Sequence, residues 1–418
     1  MSNARIRDRG GFVTITQVHF SGLRTLEDVH LDLPGLTVLI GDNGAGKSTV
    51  LEGLQLLHLM AEPDFMQAFN TIHGGINQLL TVGWNQMTLA LEIDTNRGPL
   101  TYLVTFGRHD FFPVIECEFL VRAQIHSARN AAENDYLITR EGSRRMVRHK
   151  ESSDQLVSVS MDGIGPDRLL LSAFGDSSRS VPNDGFLPML EALRGIRVRV
   201  PFGVLPMWVA RGTQMKSPLR EPQLLQRAES LDQLGTNLAS ALHGLKNSST
   251  DSWGEFMDLV RLGLGQDVDT INSSPYPEGG TLGIGLRLKG WDKDILASQL
   301  SDGQLAYIAF VVLTQMTDDV TLLAFDEPES HLHPELLMRV LGMFESLAQK
   351  IPVVLATHSD RLLDGLSAPA EAAVLCSLDS RRSTKLLRPD GPTLARWLER
   401  YRGLGELRSE GYSPFTRS

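Results

Sequence analysis

GDNGAGKST, residues 41–49, follows directly on the apolar run LTVLI at 36–40, and its reading decides the rest of the chain. A continuous apolar run suits a strand buried on both faces. The sequence that follows, STVLEGLQLLHLM (48–60), reads as a helix. The stretch between them matches G-x-x-x-x-G-K-[ST], where glycines let backbone N–H groups turn inward around phosphates at the positive end of a helix. Gly41, Asp42, Asn43, Gly44, Ala45, Gly46, Lys47, Ser48 and Thr49 are therefore candidate nucleotide-binding residues. Lys47 is placed to reach β- and γ-phosphates, and Ser48 to ligate Mg²⁺. A chance glycine-rich turn is the alternative, and the flanking strand and helix weigh against it.

A second stretch, LLAFDEPESHLHP (322–334), ends an apolar run in Asp326–Glu327 and adds His331 and His333. It admits a metal site, a hydrolase site or a core edge. Beside a phosphate loop, the paired carboxylates take distinct roles: Asp326 for Mg²⁺ through water, and Glu327 for orienting the attacking water. No cysteine lies near His331 and His333 to complete a zinc site. An interface role is preferred for them over metal. LSDGQLAYIAF (300–310) starts a helix with Ser301, Gly303 and Gln304, whose N–H groups and hydroxyl suit a γ-phosphate. An ordinary helix N-cap is the alternative for Ser301. VVLATHSD (353–360) puts His358 just past another buried strand.

In chain order (41–49, 300–310, 322–334, 353–360) the stretches resemble an ABC-type ATPase of the RecF, SMC and OLD-nuclease group. In particular they look like the EPE-[SN]-HLHP AAA-family ATPases of bacterial anti-phage systems such as OLD, Septu and PARIS. The likeness spans residues 12–60 and roughly 296–410, including WLERYRGLGEL (397–407). HGGINQLL (73–80) and GTNLASAL (235–242) match in texture alone. The resemblance implies ATP and Mg²⁺ as cofactors and a catalytic set of Lys47, Glu327 and His358, with His358 touching the γ-phosphate. It implies that Ser301, Gly303 and Gln304 face the phosphate loop of a second chain, in a head-to-tail homodimer enclosing two ATP molecules. SHLHP (330–334) then takes the D-loop position at the dimer interface. Two features depart from the family pattern. Phe20 is followed by Ser21 and Gly22 where a basic residue is usual, with Arg24 as the substitute. The magnesium-linked glutamine is assigned first to Gln78, with Gln86 and Gln124 as alternatives.

The totals agree with a soluble, cytoplasmic protein. The 418 residues are 42% hydrophobic and 22% charged, with two cysteines, too few for a disulfide framework. No apolar leader and no membrane-length apolar stretch is visible. The net charge of −10 argues against a wholly nucleic-acid-binding surface and leaves room for a local basic groove. Arg140, Arg144, Arg145, Arg148 and Lys150 form one basic cluster, and Arg194, Arg197 and Arg199 another; both read first as solvated faces.

Strands are expected at 12–20, 26–33, 36–41, 87–95 and within 99–122, then at 321–326, 351–357 and 373–378. Helices are expected at 231–245, 252–265, from 302 and at 334–349. The fold class is α/β: a P-loop head with a mixed, mainly parallel core sheet, an antiparallel β layer and an inserted, largely helical lobe. Residues 1–123 and 296–418 form the split head, and 124–295 a mixed insertion lobe, helical within 225–265. The favoured function is a dimeric ATP switch controlling a separate nuclease or toxin effector, with DNA a candidate ligand, in phage defence. RecF-like repair is the alternative. A transporter motor ranks behind both, because Lys47 and Ser301 lie too far apart and SHLHP is not a transporter-type D-loop. Glu327 speaks against a module that binds ATP without turnover. No nuclease is visible in this chain, since CSLDSRRS (376–383) shows no D-x-D.

Overall fold

A computed structural model describes residues 13–391 apart from 111, 131–134, 149–155, 159–164, 166, 176–184, 214, 216, 229, 276–279 and 390. The 397–407 stretch and Lys150 lie outside the described residues. Alternating side chains build the first layer: β1 (Val13–Leu23) pairs antiparallel with β2 (Leu26–Asp32), and their inward residues Val18, Phe20, Val29 and Leu31 are buried. The chain then leaves through β3 (Leu36–Gly41), the helix Lys47–Leu59 and two short helices, Phe65–His73 and Ile76–Leu79. It returns as β4 (Gln86–Thr95), β5 (Gly98–His109), β6 (Phe112–Val121), β7 (Tyr136–Glu141), β8 (Arg144–Arg148) and β9 (Leu156–Ser158). The resulting eight-stranded antiparallel sheet runs β2-β1-β4-β5-β6-β7-β8-β9.

The second layer holds the phosphate loop. β10 (Ile196–Arg199) precedes a small sheet made of β11 (Gln223–Leu224), β12 (Val268–Pro275), β13 (Thr281–Leu288) and β14 (Ile295–Leu296). After it come the helix Asp302–Gln315, β15 (Leu322–Asp326), the helix Pro334–Leu347, β16 (Val353–Thr357), β17 (Ala373–Leu378) and β18 (Thr384–Leu387). The core sheet has the order β10-β15-β16-β3-β17-β18, parallel throughout except for its β17–β18 edge. Its strands are buried on both faces. Leu39, Ala324, Val354 and Ala356 join the core shared with the antiparallel sheet and the helix Lys47–Leu59. Val38, Ile40, Leu323, Phe325 and Leu355 join a second core, under the helices Leu238–Ser248, Asp302–Gln315 and Pro334–Leu347. Phe325 anchors that second core among Phe202, Phe310 and Phe344, with ring centroids 4.9–6.4 Å away.

The expected 124–295 lobe departs from the structure at its boundaries. β7, β8 and β9 continue the antiparallel sheet, and β10 pairs in parallel with β15, so these segments are built into the head. The remainder is mixed: the helices Leu238–Ser248 and Thr250–Leu264 pack with the small four-stranded sheet. The basic clusters hid these strands, because they read as solvated faces. Arg140 and Arg145 are buried, and Arg199 is only 7% exposed and donates to the Leu231 carbonyl. The 99–122 segment is two strands, β5 and β6, separated by a turn in which Asp110 has φ 54°.

A buried carboxylate fastens the antiparallel sheet to the segment after β9. Glu118, on β6, accepts hydrogen bonds from Tyr102 Oη at 2.8 Å and from the backbone N–H groups of Leu170 (2.8 Å) and Leu171 (2.9 Å). Burial pushes its carboxyl above the ordinary glutamate range, while those donors and the Arg140 charge oppose the rise. Glu118→Ala leaves three donors buried without an acceptor, at ~1–3 kcal/mol each. The expected result is a loss of about 3 kcal/mol or more in urea unfolding. A loss below about 1 kcal/mol would refute the fastening role.

Candidate functional site

Parallel register brings the C-terminal ends of β3, β16 and β15 side by side. Thr357 stands opposite Ile40, and Asp326 opposite Ala356. Beyond β3 the loop turns through Gly44 (φ 79°) and Gly46 (φ 97°), left-handed conformations that glycine adopts without steric cost. A Cβ on Gly46 would also lie 2.2 Å from Thr384 Oγ1. The loop crest, Asp42, Asn43 and Gly44, is exposed, while Ala45 and Gly46 are buried. Gly41 ends β3, and Thr49 lies in the first turn of the helix Lys47–Leu59.

Lys47 is 5% exposed, and its Nζ donates to the carbonyls of Gly41 (2.8 Å) and Asp42 (3.0 Å). His358 Nδ1 lies 3.5 Å from the same nitrogen. The other ring nitrogen, Nε2, is 3.9 Å from Glu327 Oε1. Ser48 Oγ donates to Asp326 Oδ2 at 3.1 Å. Five of the expected residues, Lys47, Ser48, Asp326, Glu327 and His358, thus form one cluster. Burial raises the Asp326 carboxyl above the usual aspartate range, with the nearby Glu327 and Glu329 adding to the rise. The Ser48 hydroxyl and the Lys47 charge pull it the other way. Ser48 and Asp326 present adjacent hard oxygens, the donor type Mg²⁺ takes.

The remaining expected residues are placed differently. Ser301 caps the helix Asp302–Gln315 in a reciprocal box: Gln304 N donates to Ser301 Oγ (3.2 Å), and Ser301 N donates to Gln304 Oε1 (2.9 Å). Gly303 lies against the His331 carbonyl, 3.1 Å from where its Cβ would stand. Gln78 is exposed on the helix Ile76–Leu79, and no bond joins it to Ser48 or Asp326 among the described residues. β15 is flanked by β16 and β10, and Val200 and Pro201, which follow β10, bear no side-chain amide. Arg24 bonds Glu52, one turn beyond Ser48 on the same helix. His331 and His333 are exposed. Among the described residues the one clustered ligand set is His19, Asp28 and His30, on β1 and β2.

Two supports escaped the sequence reading. Thr384 Oγ1 donates to the Ala45 carbonyl (3.1 Å) and meets Thr25 Oγ1 at 2.8 Å, bracing the phosphate loop from behind. Glu329, in the loop after β15, bonds the end of β16. Neither has a local signal, since each joins segments far apart in the sequence.

The head of an SMC protein, solved bound to the C-winged helix domain of ScpA, shares this fold at TM-score 0.50 and 14% identity, covering 92% of this chain and 99% of that one. SMC heads from Pyrococcus furiosus (TM-score 0.43, 14% identity, 94% and 100% covered) and Thermotoga maritima (0.43, 12%, 90% and 99%) are more distant in shape. No curated protein matches the chain. The family described as "AAA domain, putative AbiEii toxin, Type IV TA system" matches residues 36–146 and 190–364, which hold the phosphate loop, the acid pair and His358. With more than half of its length so matched, the chain belongs to this AAA_21 family of P-loop ATPases.

Proposed function

We propose that the protein is an ATP-hydrolysing switch that works as a head-to-tail homodimer and controls a separate nuclease or toxin effector in antiviral defence. The observation that carries the hydrolytic part is the cluster Ser48–Asp326 and Lys47–His358–Glu327, linked within 3.1–3.9 Å at the ends of three parallel strands. Lys47, now holding two neutral carbonyls, gains a stronger acceptor when phosphate oxygens replace them. Glu327 is half-exposed, its Oε2 accepting a long bond from Ser330 Oγ (3.5 Å), so the carboxylate can also hold a water, and His358 stands between it and Lys47. Ser48 and Asp326 would hold Mg²⁺, which neutralises phosphate charge when bound. No helix of the described residues is long and apolar enough to cross a membrane.

The dimer rests on Ser301 and Gly303. They open a helix whose start is capped on itself and lies against the 327–333 loop, so their γ-phosphate contacts are assigned to the opposite chain's nucleotide. Contacts from two chains, lost on hydrolysis, give the two states different affinities, which a switch requires. The family description names a toxin–antitoxin system, which supports a place in defence.

Turnover should require Mg²⁺. Glu327→Gln should keep ATP binding while kcat falls by ~10²-fold or more, and Lys47→Ala should lose binding as well. Wild-type turnover in Glu327→Gln would remove the assigned role of that carboxylate.

Mixing Lys47→Ala and Ser301→Arg chains tests the shared site. Each variant alone has two defective composite sites, whereas a mixed dimer has one intact site. Partial recovery of ATPase activity is expected. Absence of recovery in folded, demonstrably mixed dimers, when wild-type/variant mixtures show that one site can fire alone, would refute the arrangement.

A further inference from the structure

Glu329 is the third acid of DEPE, and neither phosphate nor water chemistry has yet claimed it. Its Oε1 accepts from Thr357 Oγ1 at 2.7 Å and from the backbone N–H of His358 at 3.0 Å. Its Oε2 is buried with no hydrogen-bond partner among the described residues. One oxygen therefore makes both bonds, and both end at the point where β16 delivers His358. Thr357 Oγ1 in turn accepts from Ser359 N at 2.9 Å, so the hydroxyl held by Glu329 also fixes the residue after the histidine.

The same carboxylate belongs to the loop that carries Glu327. Within that loop Ser330 N donates to the Glu327 carbonyl (3.0 Å) and Leu332 N to the Glu329 carbonyl (3.1 Å). The His331 carbonyl rests against Gly303 at the start of the capped helix. A displacement of this loop is therefore passed to Glu327 through the backbone and to His358 through Glu329.

We infer that Glu329 is a positioning residue that sets His358 against Lys47 and Glu327, and couples the 330–333 loop to the hydrolytic cluster. This rests on the ATPase reading above. A carboxylate accepting a charge-assisted bond from a backbone N–H holds the main chain itself, so the imidazole inherits its place from the loop. Nothing in this role needs Glu329 to touch nucleotide. Loss of the tie lets His358 shift, and misplacement of about 1 Å near reacting groups costs up to ~10²-fold in rate.

The experiment is a double-mutant cycle on steady-state ATPase activity in the full chain, using Glu329→Ala, His358→Ala and the double variant. Glu329→Ala is expected to lower kcat between ~10- and ~100-fold with KM for ATP unchanged. The double variant should turn over no more slowly than His358→Ala alone, because the tie has nothing left to position. Glu329→Gln keeps one acceptor oxygen and should restore most of the activity. If the two losses multiply while His358→Ala is impaired, Glu329 does not act through His358, and the inference fails while the ATPase reading stands. Wild-type turnover in His358→Ala overturns both the histidine's role and this coupling. Should Glu329→Ala not fold, Thr357→Val removes one of the two donors and enters the same cycle, with the same outcomes deciding.

Discussion

The ammonium of Lys47 is buried, and the surrounding architecture answers to that fact. Even after relaxation, taking such a charge out of water costs several kcal/mol unless hydrogen bonds and opposite charge compensate. Two carbonyls of its own loop supply the bonds, at 2.8 and 3.0 Å. They come within reach because the loop folds back through Gly44 and Gly46, and Thr384 holds the Ala45 carbonyl from behind. The opposite charge comes from the neighbouring strand ends. Asp326 gives up solvation to be there, which is why burial leads the rise of its carboxyl, and Lys47 is one of the groups opposing that rise. A bound anion would relieve both sides of this arrangement at once, since phosphate accepts more strongly than a peptide carbonyl.

The compensation depends on strand register more than on any single contact. In an open parallel sheet, ligand sites form outside the carboxyl ends of the strands. Here β3 ends in the phosphate loop, β16 in His358, and β15 in the acid pair, with Thr357 opposite Ile40 and Asp326 opposite Ala356. A one-residue slip of β15 would move Asp326 away from Ser48 and turn Phe325 out of its aromatic cluster. Core packing and site assembly therefore select the same register.

Much of this was legible in the chain because apolar runs and glycine chemistry are local signals. β3, β15, β16 and β17 read as buried strands, and the loop, the acid pair and His358 could be placed at their ends. β7, β8 and β10 were not legible, because Arg140, Arg145 and Arg199 look solvated in sequence and are buried in the fold. Their compensation comes from distant groups: Glu118 is among the charges facing Arg140, and the Leu231 carbonyl meets Arg199. The glutamine assigned to magnesium has no local signal either: Gln78 lies on the short helix Ile76–Leu79, while the pairing that sets β10 beside β15 spans the insertion. Of the two readings of Ser301, the helix cap is present, and the phosphate contact belongs to the proposed dimer.

The acid pair itself poses a geometric problem that the backbone solves. Successive residues of a strand point to opposite faces, so Asp326 and Glu327 could not both address one space if β15 simply continued. The strand ends at Asp326, and Glu327 adopts φ 46°, a left-handed conformation rare for residues other than glycine. Its N–H still donates to the Ala356 carbonyl at 2.8 Å, so the turn occurs without losing the sheet bond. Residues held in such conformations cost on the order of 1–3 kcal/mol and persist only where their surroundings over-determine them. Glycine would remove that strain and the carboxylate together. The strain is consistent with a position selected for what its side chain reaches: Glu327 faces His358 while Asp326, one residue earlier, holds Ser48.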